Sequence, residues 1–223
     1  MCGRFTLATT ADQIHTTYGL SIQGLEPRYN IAPTQLVNVV LDECGVRQMQ
    51  DFSWGLIPSW ATDRRIASKC FNARAETVLT KPAFAKPVQQ HRCVIPMSGF
   101  YEWTEKGKRA WYISPDEGLL SAAGIWESWD GPEGPRLTCS IITKAATDQI
   151  APYHDRMPLF LKQESLIGWL KSGPMTQEEL DYFVKLGSPD LGIHEVSLRV
   201  NNVADNDPSL TDPIVPLQGT LGF

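Results

Sequence analysis

The spacing of apolar and polar residues divides the chain into many short strand-like runs and three helix-like ones. Alternating or continuous apolar runs at 36–41, 48–57, 92–96, 99–104, 110–114, 119–126 and 136–143 predict successive strands, with a late one at 193–200. Turns at Glu43-Cys44-Gly45 and Glu105-Lys106-Gly107-Lys108 suit tight connections between neighbours. Near the start, Thr10 stands where an N-cap is wanted, Ile14 and Tyr18 share one helical face, and Gly19 stops the helix. Two further helices are expected over 164–171 and 176–186, the second opened by Thr176 with Glu179 three residues on, a capping box. The segment 27–33 reads as irregular, and 72–90 as mixed, its helical pattern interrupted by Pro82 and Pro87. The elements sum to an α+β fold, a mainly antiparallel, curled or barrel-like β-sheet flanked by short helices. Neither a repeat nor a linker divides it, so one domain over residues 1–223 is expected. The tail 205–223, with Pro208, Pro213 and Pro216, is expected to wrap the core or to stay disordered.

Composition adds limits. An apolar content of 42% over 223 residues supports one sizeable core. No apolar run reaches membrane-spanning length and residues 1–20 lack a signal-peptide core, so a soluble protein inside the cell, without membrane contact, is expected. Five cysteines without a C-x-x-C pair point to neither a disulfide framework nor zinc, and His91-Arg92-Cys93 is the one close His/Cys pair. No metal and no cofactor are therefore expected.

The net charge of −5 argues against a nucleic-acid partner, but its distribution does not. Residues 155–223 carry the whole deficit, whereas 60–109 hold ten Lys or Arg against four Asp or Glu. Trp60, Phe71, Phe84, Phe100, Tyr101, Trp103 and Trp111 interleave with or border that basic stretch. Exposed rings beside cations stack unpaired bases and hold phosphates, so one nucleic-acid-binding face on an acidic protein is a candidate feature.

The chemistry starts at Cys2. Removal of Met1 would leave an N-terminal cysteine, whose amine and thiol titrate near ~8 and ~8.5. Such a pair captures aldehydes: the amine forms an imine, the thiol adds to the same carbon, and a five-membered thiazolidine closes. Three other clusters place polar groups among apolar ones: 71–77 with Asn72 and Arg74, 98–103 with Glu102, and 152–158 with His154, Asp155 and Arg156. Glu102 between Tyr101 and Trp103 is a candidate acid/base with a raised pKa, or else an outward surface residue. His154 is a candidate proton donor or acceptor, oriented by Asp155 or a carbonyl, or an ordinary loop residue. Asn72 offers amide donors and an acceptor, and Arg74 and Arg156 offer forks for phosphate; capping roles are equally open to them.

These blocks, taken with the others along the chain, resemble the SRAP family (SOS response-associated peptidase). The resemblance rests on Met1-Cys2-Gly3-Arg4-Phe5, Arg28-Tyr29-Asn30-Ile31-Ala32-Pro33-Thr34, Trp54-Gly55-Leu56-Ile57-Pro58-Ser59-Trp60, Asn72-Ala73-Arg74-Ala75-Glu76-Thr77, Gly99-Phe100-Tyr101-Glu102-Trp103 and His154-Asp155-Arg156-Met157-Pro158. It implies the SRAP fold and a DNA-damage shield that binds single-stranded DNA, or single-strand/duplex junctions, and joins an abasic site through a thiazolidine at Cys2. By the same resemblance Asn72 positions the amine and sugar, Glu102 is the acid/base, and His154 assists sugar ring opening. Arg4, Arg74 and Arg156 hold the DNA backbone, and Trp60 and Trp103 make apolar or stacking contacts at the lesion. A monomer is expected, cytoplasmic, and associated with the nucleoid or nucleus. Two alternatives stay open here: a cysteine-type autopeptidase or amidase using Cys2, Glu102 and His154, and a non-covalent single-strand binding module.

Overall fold

The computed structural model describes residues 2–214 apart from Cys44, Glu105, Gly107, Ser172 and Gly187. Two sheets organise it. The first has five strands in the order β13-β8-β7-β1-β2, all antiparallel: β1 Phe5–Leu7, β2 Arg28–Ile31, β7 Gly99–Thr104, β8 Arg109–Pro115 and β13 Leu191–Val196. The second is built on β3 Leu36–Glu43, β4 Val46–Trp54, β6 Arg92–Met97, β9 Leu120–Gly131 and β10 Gly134–Ala145. The circuit β4-β3-β6-β9-β10 closes on itself because β10 pairs in parallel with β4 at Cys139↔Trp54, so these five strands form a barrel without a free edge between them. Three short strands extend it: β5 Asn72–Arg74 and β11 Arg156–Pro158 on β10, and β12 Phe160–Leu161 on β9.

Strand alternation sorts the apolar residues into two cores. Val37, Val39 and Leu41 of β3, Cys93, Ile95 and Met97 of β6, and Cys139 and Ile141 of β10 face inward, where Phe5, Ile31 and Phe100 of the first sheet also pack. Their alternates Val40, Val94 and Ile142 face outward and are covered by helices α1 Ala11–Tyr18, α2 Ala85–Gln90, α3 Leu166–Leu170 and α4 Gln177–Lys185. Arg92 fastens this helical layer: its buried guanidinium donates to the carbonyls of Val88, Trp169 and Gly173 at 2.7–2.9 Å and to that of Lys171.

The structure alters several expectations. The segment 27–33 is not irregular: it contains β2, held by pairing with β1, a contact distant in sequence. The late strand ends at Val196, after which the side chain of Ser197 caps a 3₁₀ turn Leu198–Asn201. The expected helix at 164–171 is a 3₁₀ turn Gln163–Ser165 followed by α3. The tail wraps the core as far as Ile214, with Leu210 fully buried beside Tyr101, Ala110 and Tyr112. Its part from 215 on, and Cys44, Glu105 and Gly107 of the two predicted turns, lie outside the described residues. Among the described residues no helix is long and apolar enough to cross a membrane.

Candidate active site

Cys2 reaches its place because the chain enters the first sheet immediately after it. The Tyr101 N–H donates to the Arg4 carbonyl at 2.9 Å and Phe5 pairs with Phe100, so the strand continuing to Glu102 runs beside the start of the chain. The Cys2 side chain is fully buried in the inner core, and its thiol lies 3.8 Å from the Arg4 carbonyl. Burial, and then the negative charge of Glu102, push that thiol well above its usual range. Asn72 secures Cys2 from the other side: its Nδ2 donates to the Cys2 carbonyl at 2.7 Å. Its Oδ1 is buried and accepts no hydrogen bond among the described residues, leaving an acceptor at the residue that would become N-terminal. β5 delivers Asn72 by parallel pairing to β10 at Ile141.

Glu102 shares a face of β7 with Phe100 and turns inward, only 2 % exposed. Burial raises its carboxyl from 4.5 to about 7, and the nearby Asp155 adds to the shift. This is the environment expected of an acid/base group rather than of a surface carboxylate. His154 stands just before β11, about a quarter exposed, and burial lowers its basicity. Its Nδ1 lies 2.9 Å from the Arg156 N–H and 2.8 Å from Asp155 Oδ1. One lone pair cannot serve both partners. Neutral imidazole accepts from Arg156 with its proton on Nε2; a protonated Nδ1 donates to Asp155 instead.

The three arginines differ in availability. Arg4 turns inward, its Nη1 donating to Asn30 Oδ1 at 2.7 Å and to the Val200 carbonyl at 2.6 Å. Arg156 is bidentate to Glu76 at 2.6 and 2.9 Å and also donates to the Thr143 carbonyl at 2.7 Å. Arg74 is exposed and makes no hydrogen bond or ion pair among the described residues. Of the two tryptophans, Trp60 is 60 % exposed above a depression lined by Arg65 and Lys69. Trp103 lies on the face of β7 opposite to Glu102, its Nε1 donating to Asn201 Oδ1 at 2.7 Å and its ring 5.8 Å from the Arg4 guanidinium. The structure thus gathers Cys2, Asn72 and Glu102, links His154 to Glu102 through the charge of Asp155, and stations Trp103 behind the strand. Among the described residues no group of three His, Cys, Asp or Glu side chains is arranged to hold a metal.

Two residues of the motif blocks had no role assigned from sequence. Asn30 is buried, accepting from Arg4 and donating to the carbonyls of Asn202 and Asp205 at 2.9 Å each, so it pins the C-terminal segment to the site. Glu76 holds Arg156. An Asn between Tyr29 and Ile31 in a Pro-flanked segment is the signal that could have found the first; the second is visible only in three dimensions.

Comparison with known proteins identifies the family. The family model of SOS response associated peptidase (SRAP) matches residues 1–203. The abasic site processing protein YoqW of Bacillus subtilis is 37% identical over 226 residues, covering 95% of this chain and 99% of the relative. The abasic site processing protein HMCES of Gallus gallus is 30% identical over 224 residues, covering 84% of this chain and 66% of that longer protein. A crystal structure of a protein from Bacteroides thetaiotaomicron superposes with a TM-score of 0.81 at 26% identity, over 96% of this chain and all of that one. With its blocks, its fold and its relatives in agreement, the chain belongs to the SRAP family.

Proposed function

We propose that this protein is an abasic-site sensor and shield, which binds single-stranded DNA and, after loss of Met1, forms a thiazolidine between Cys2 and the ring-opened sugar. The observation that carries this reading is the placement of Cys2 between Asn72, 2.7 Å from its carbonyl, and the buried carboxyl of Glu102. An abasic deoxyribose is mostly a closed hemiacetal. Opening it takes the proton from the C1′ hydroxyl, breaks the C1′–O4′ bond and returns a proton to O4′. Glu102, titrating near 7, accepts or supplies protons at neutral pH, and His154 supplies the other through Nε2. The Cys2 amine adds to C1′ and water leaves, giving an imine. The thiol then adds to the same carbon, its proton passing to nitrogen, and the ring closes with one water lost overall. Asn72 holds the Cys2 backbone during these steps, its Oδ1, without a donor among the described residues, suiting an amine N–H.

Arg74 and Trp60 supply the exposed cation and ring for the strand, and Arg4, Arg156 and Trp103 support the site from behind. A face built this way takes single strands and the single-stranded side of a junction. The protein works as one domain and a monomer without a cofactor, in the compartment of the chromosome, nucleoid or nucleus. The test is a denaturing gel after incubation of protein, Met1 removal verified by intact mass, with an oligonucleotide carrying one abasic site. A heat-resistant band in the parent and none in Cys2→Ala is expected. Intact DNA binding without a band in the parent would leave a non-covalent binding module as the function.

A further inference from the structure

We propose that Glu76 is a positioning residue which, by gripping Arg156 across β10, fixes the spacing of Asn72 and His154 and the ring orientation of His154. At Thr143, β10 has Arg74 of β5 on one edge and Pro158 of β11 on the other. Asn72 therefore belongs to one flanking strand, and His154 sits two residues before the other. No backbone hydrogen bond joins β5 to β11 directly, because β10 lies between them. The Glu76–Arg156 fork spans that gap. Glu76 follows β5 in the 3₁₀ turn Ala75–Thr77, and Arg156 opens β11. Arg156 also donates to the Thr143 carbonyl beneath, so its side chain, 11 % exposed, is fixed at both ends. Its backbone N–H is the donor to His154 Nδ1 at 2.9 Å. A displacement of Arg156 therefore reaches His154 through one hydrogen bond.

Charge acts in the same direction. His154 faces Asp155 and the Arg156 guanidinium, and Asp155 also faces Glu102. Glu76 neutralises the Arg156 charge; without it, His154 titrates at lower pH and the Arg156 N–H loses its fixed aim. The catalytic consequence rests on the abasic-site reading, but the positioning does not.

The test uses Glu76→Gln, which keeps the shape and removes the charge, and Glu76→Asp, which keeps the charge and shortens the reach. Long-range proton–nitrogen NMR of the DNA-free protein reports the His154 tautomer and its titration. In Glu76→Gln the titration is expected at lower pH, with Nδ1 no longer held as a single acceptor. Adduct formation at saturating abasic oligonucleotide is expected to slow roughly tenfold, with the pH profile shifted likewise, while the Kd for undamaged strand stays within about twofold. Parent-like His154 titration and tautomer in folded Glu76→Gln, with or without a change in Kd, would overturn the proposal. A parent that forms no adduct would defeat the abasic-site reading alone, since the NMR comparison needs no DNA.

Discussion

Near pH 8, a carboxylate at position 102 destabilises the fold that holds it, and Glu102→Gln should relieve that load. The carboxyl titrates at about 7 in the folded protein against 4.5 when exposed. At 1.36 kcal/mol per unit this corresponds to about 3 kcal/mol, an order-of-magnitude figure. The sign follows from proton counts: between the two pKa values the folded state keeps a proton that the unfolded chain has lost, so stability falls as pH rises through that window. Above it the loss is complete, and below 4.5 it vanishes. Gln resembles the protonated acid in shape and does not titrate. Urea unfolding from pH 4 to 8.5 should therefore give equal midpoints at the acid end and a Gln variant more stable by about 3 kcal/mol at the basic end, with the m-value unchanged. An offset independent of pH would mean that the carboxyl is not shifted on folding, and a less stable Gln variant at pH 8 that a cation holds Glu102 ionised; either would refute the burial argument. The same variant should lose most adduct formation, so stability and activity move in opposite directions.

Asn72→Ala removes the 2.7 Å bond to the Cys2 carbonyl; about 1 kcal/mol of stability and at least a tenfold slower adduct time course are expected, read by thermal melting and by gel. Arg74→Ala should weaken binding to undamaged single strand and reduce the slope of log K against log salt by about 0.7, leaving adduct formation at saturating DNA close to the parent rate. Arg92→Met strips the hydrogen bonds from carbonyls that close α2 and α3, and should cost about 3 kcal/mol or more in denaturant melts, with parent-like activity per folded molecule.

What was legible in the sequence was local. Thr10 caps α1 and Gly19 ends it at φ 71°, and Thr176 with Glu179 forms the capping box that opens α4; that Gln13 completes a second box at α1 was added by the structure. Both are decided within a few residues, as are the antiparallel neighbours joined by tight turns. The closure of the barrel was not legible, because it depends on a parallel pairing of β10 with β4 across more than eighty residues, and strands as short as β5, β11 and β12 have no pattern of their own. Gly55 shows the same limit: its φ of 142° and a Cβ that would meet the Ala67 carbonyl at 2.8 Å explain the glycine only once the fold is known. Cys2, Asn72, Glu102 and His154 were legible as candidates by residue type and resemblance. The direction of Glu102 was not. β7 carries large residues on both faces, so alternation cannot say which is inside, and the Tyr101 face is buried by Leu210 from a tail with no apolar periodicity.

The electrostatics at Cys2 bear on the order of chemical steps and on the peptidase alternative. A cysteine hydrolase needs a thiolate, stabilised by an imidazolium or a helix N-terminus. Here the surroundings act the other way: burial and the Glu102 charge raise the thiol, and burial keeps His154 neutral at lower pH than usual. The thiol is protonated at neutral pH and is poorly placed to attack a carbonyl first. In the proposed reaction an α-amine, with a pKa near ~8, loses its proton far more readily than this thiol, so imine formation would precede sulfur addition, and the thiol proton would leave only once an electrophilic carbon stands beside it. One comparison separates the two arrangements. Because Glu102 raises the thiol, Glu102→Gln should speed alkylation of Cys2 by a small neutral reagent near pH 8 while slowing adduct formation with abasic DNA. In a hydrolase dyad, where the carboxylate supports the thiolate through the imidazole, the same substitution would slow both.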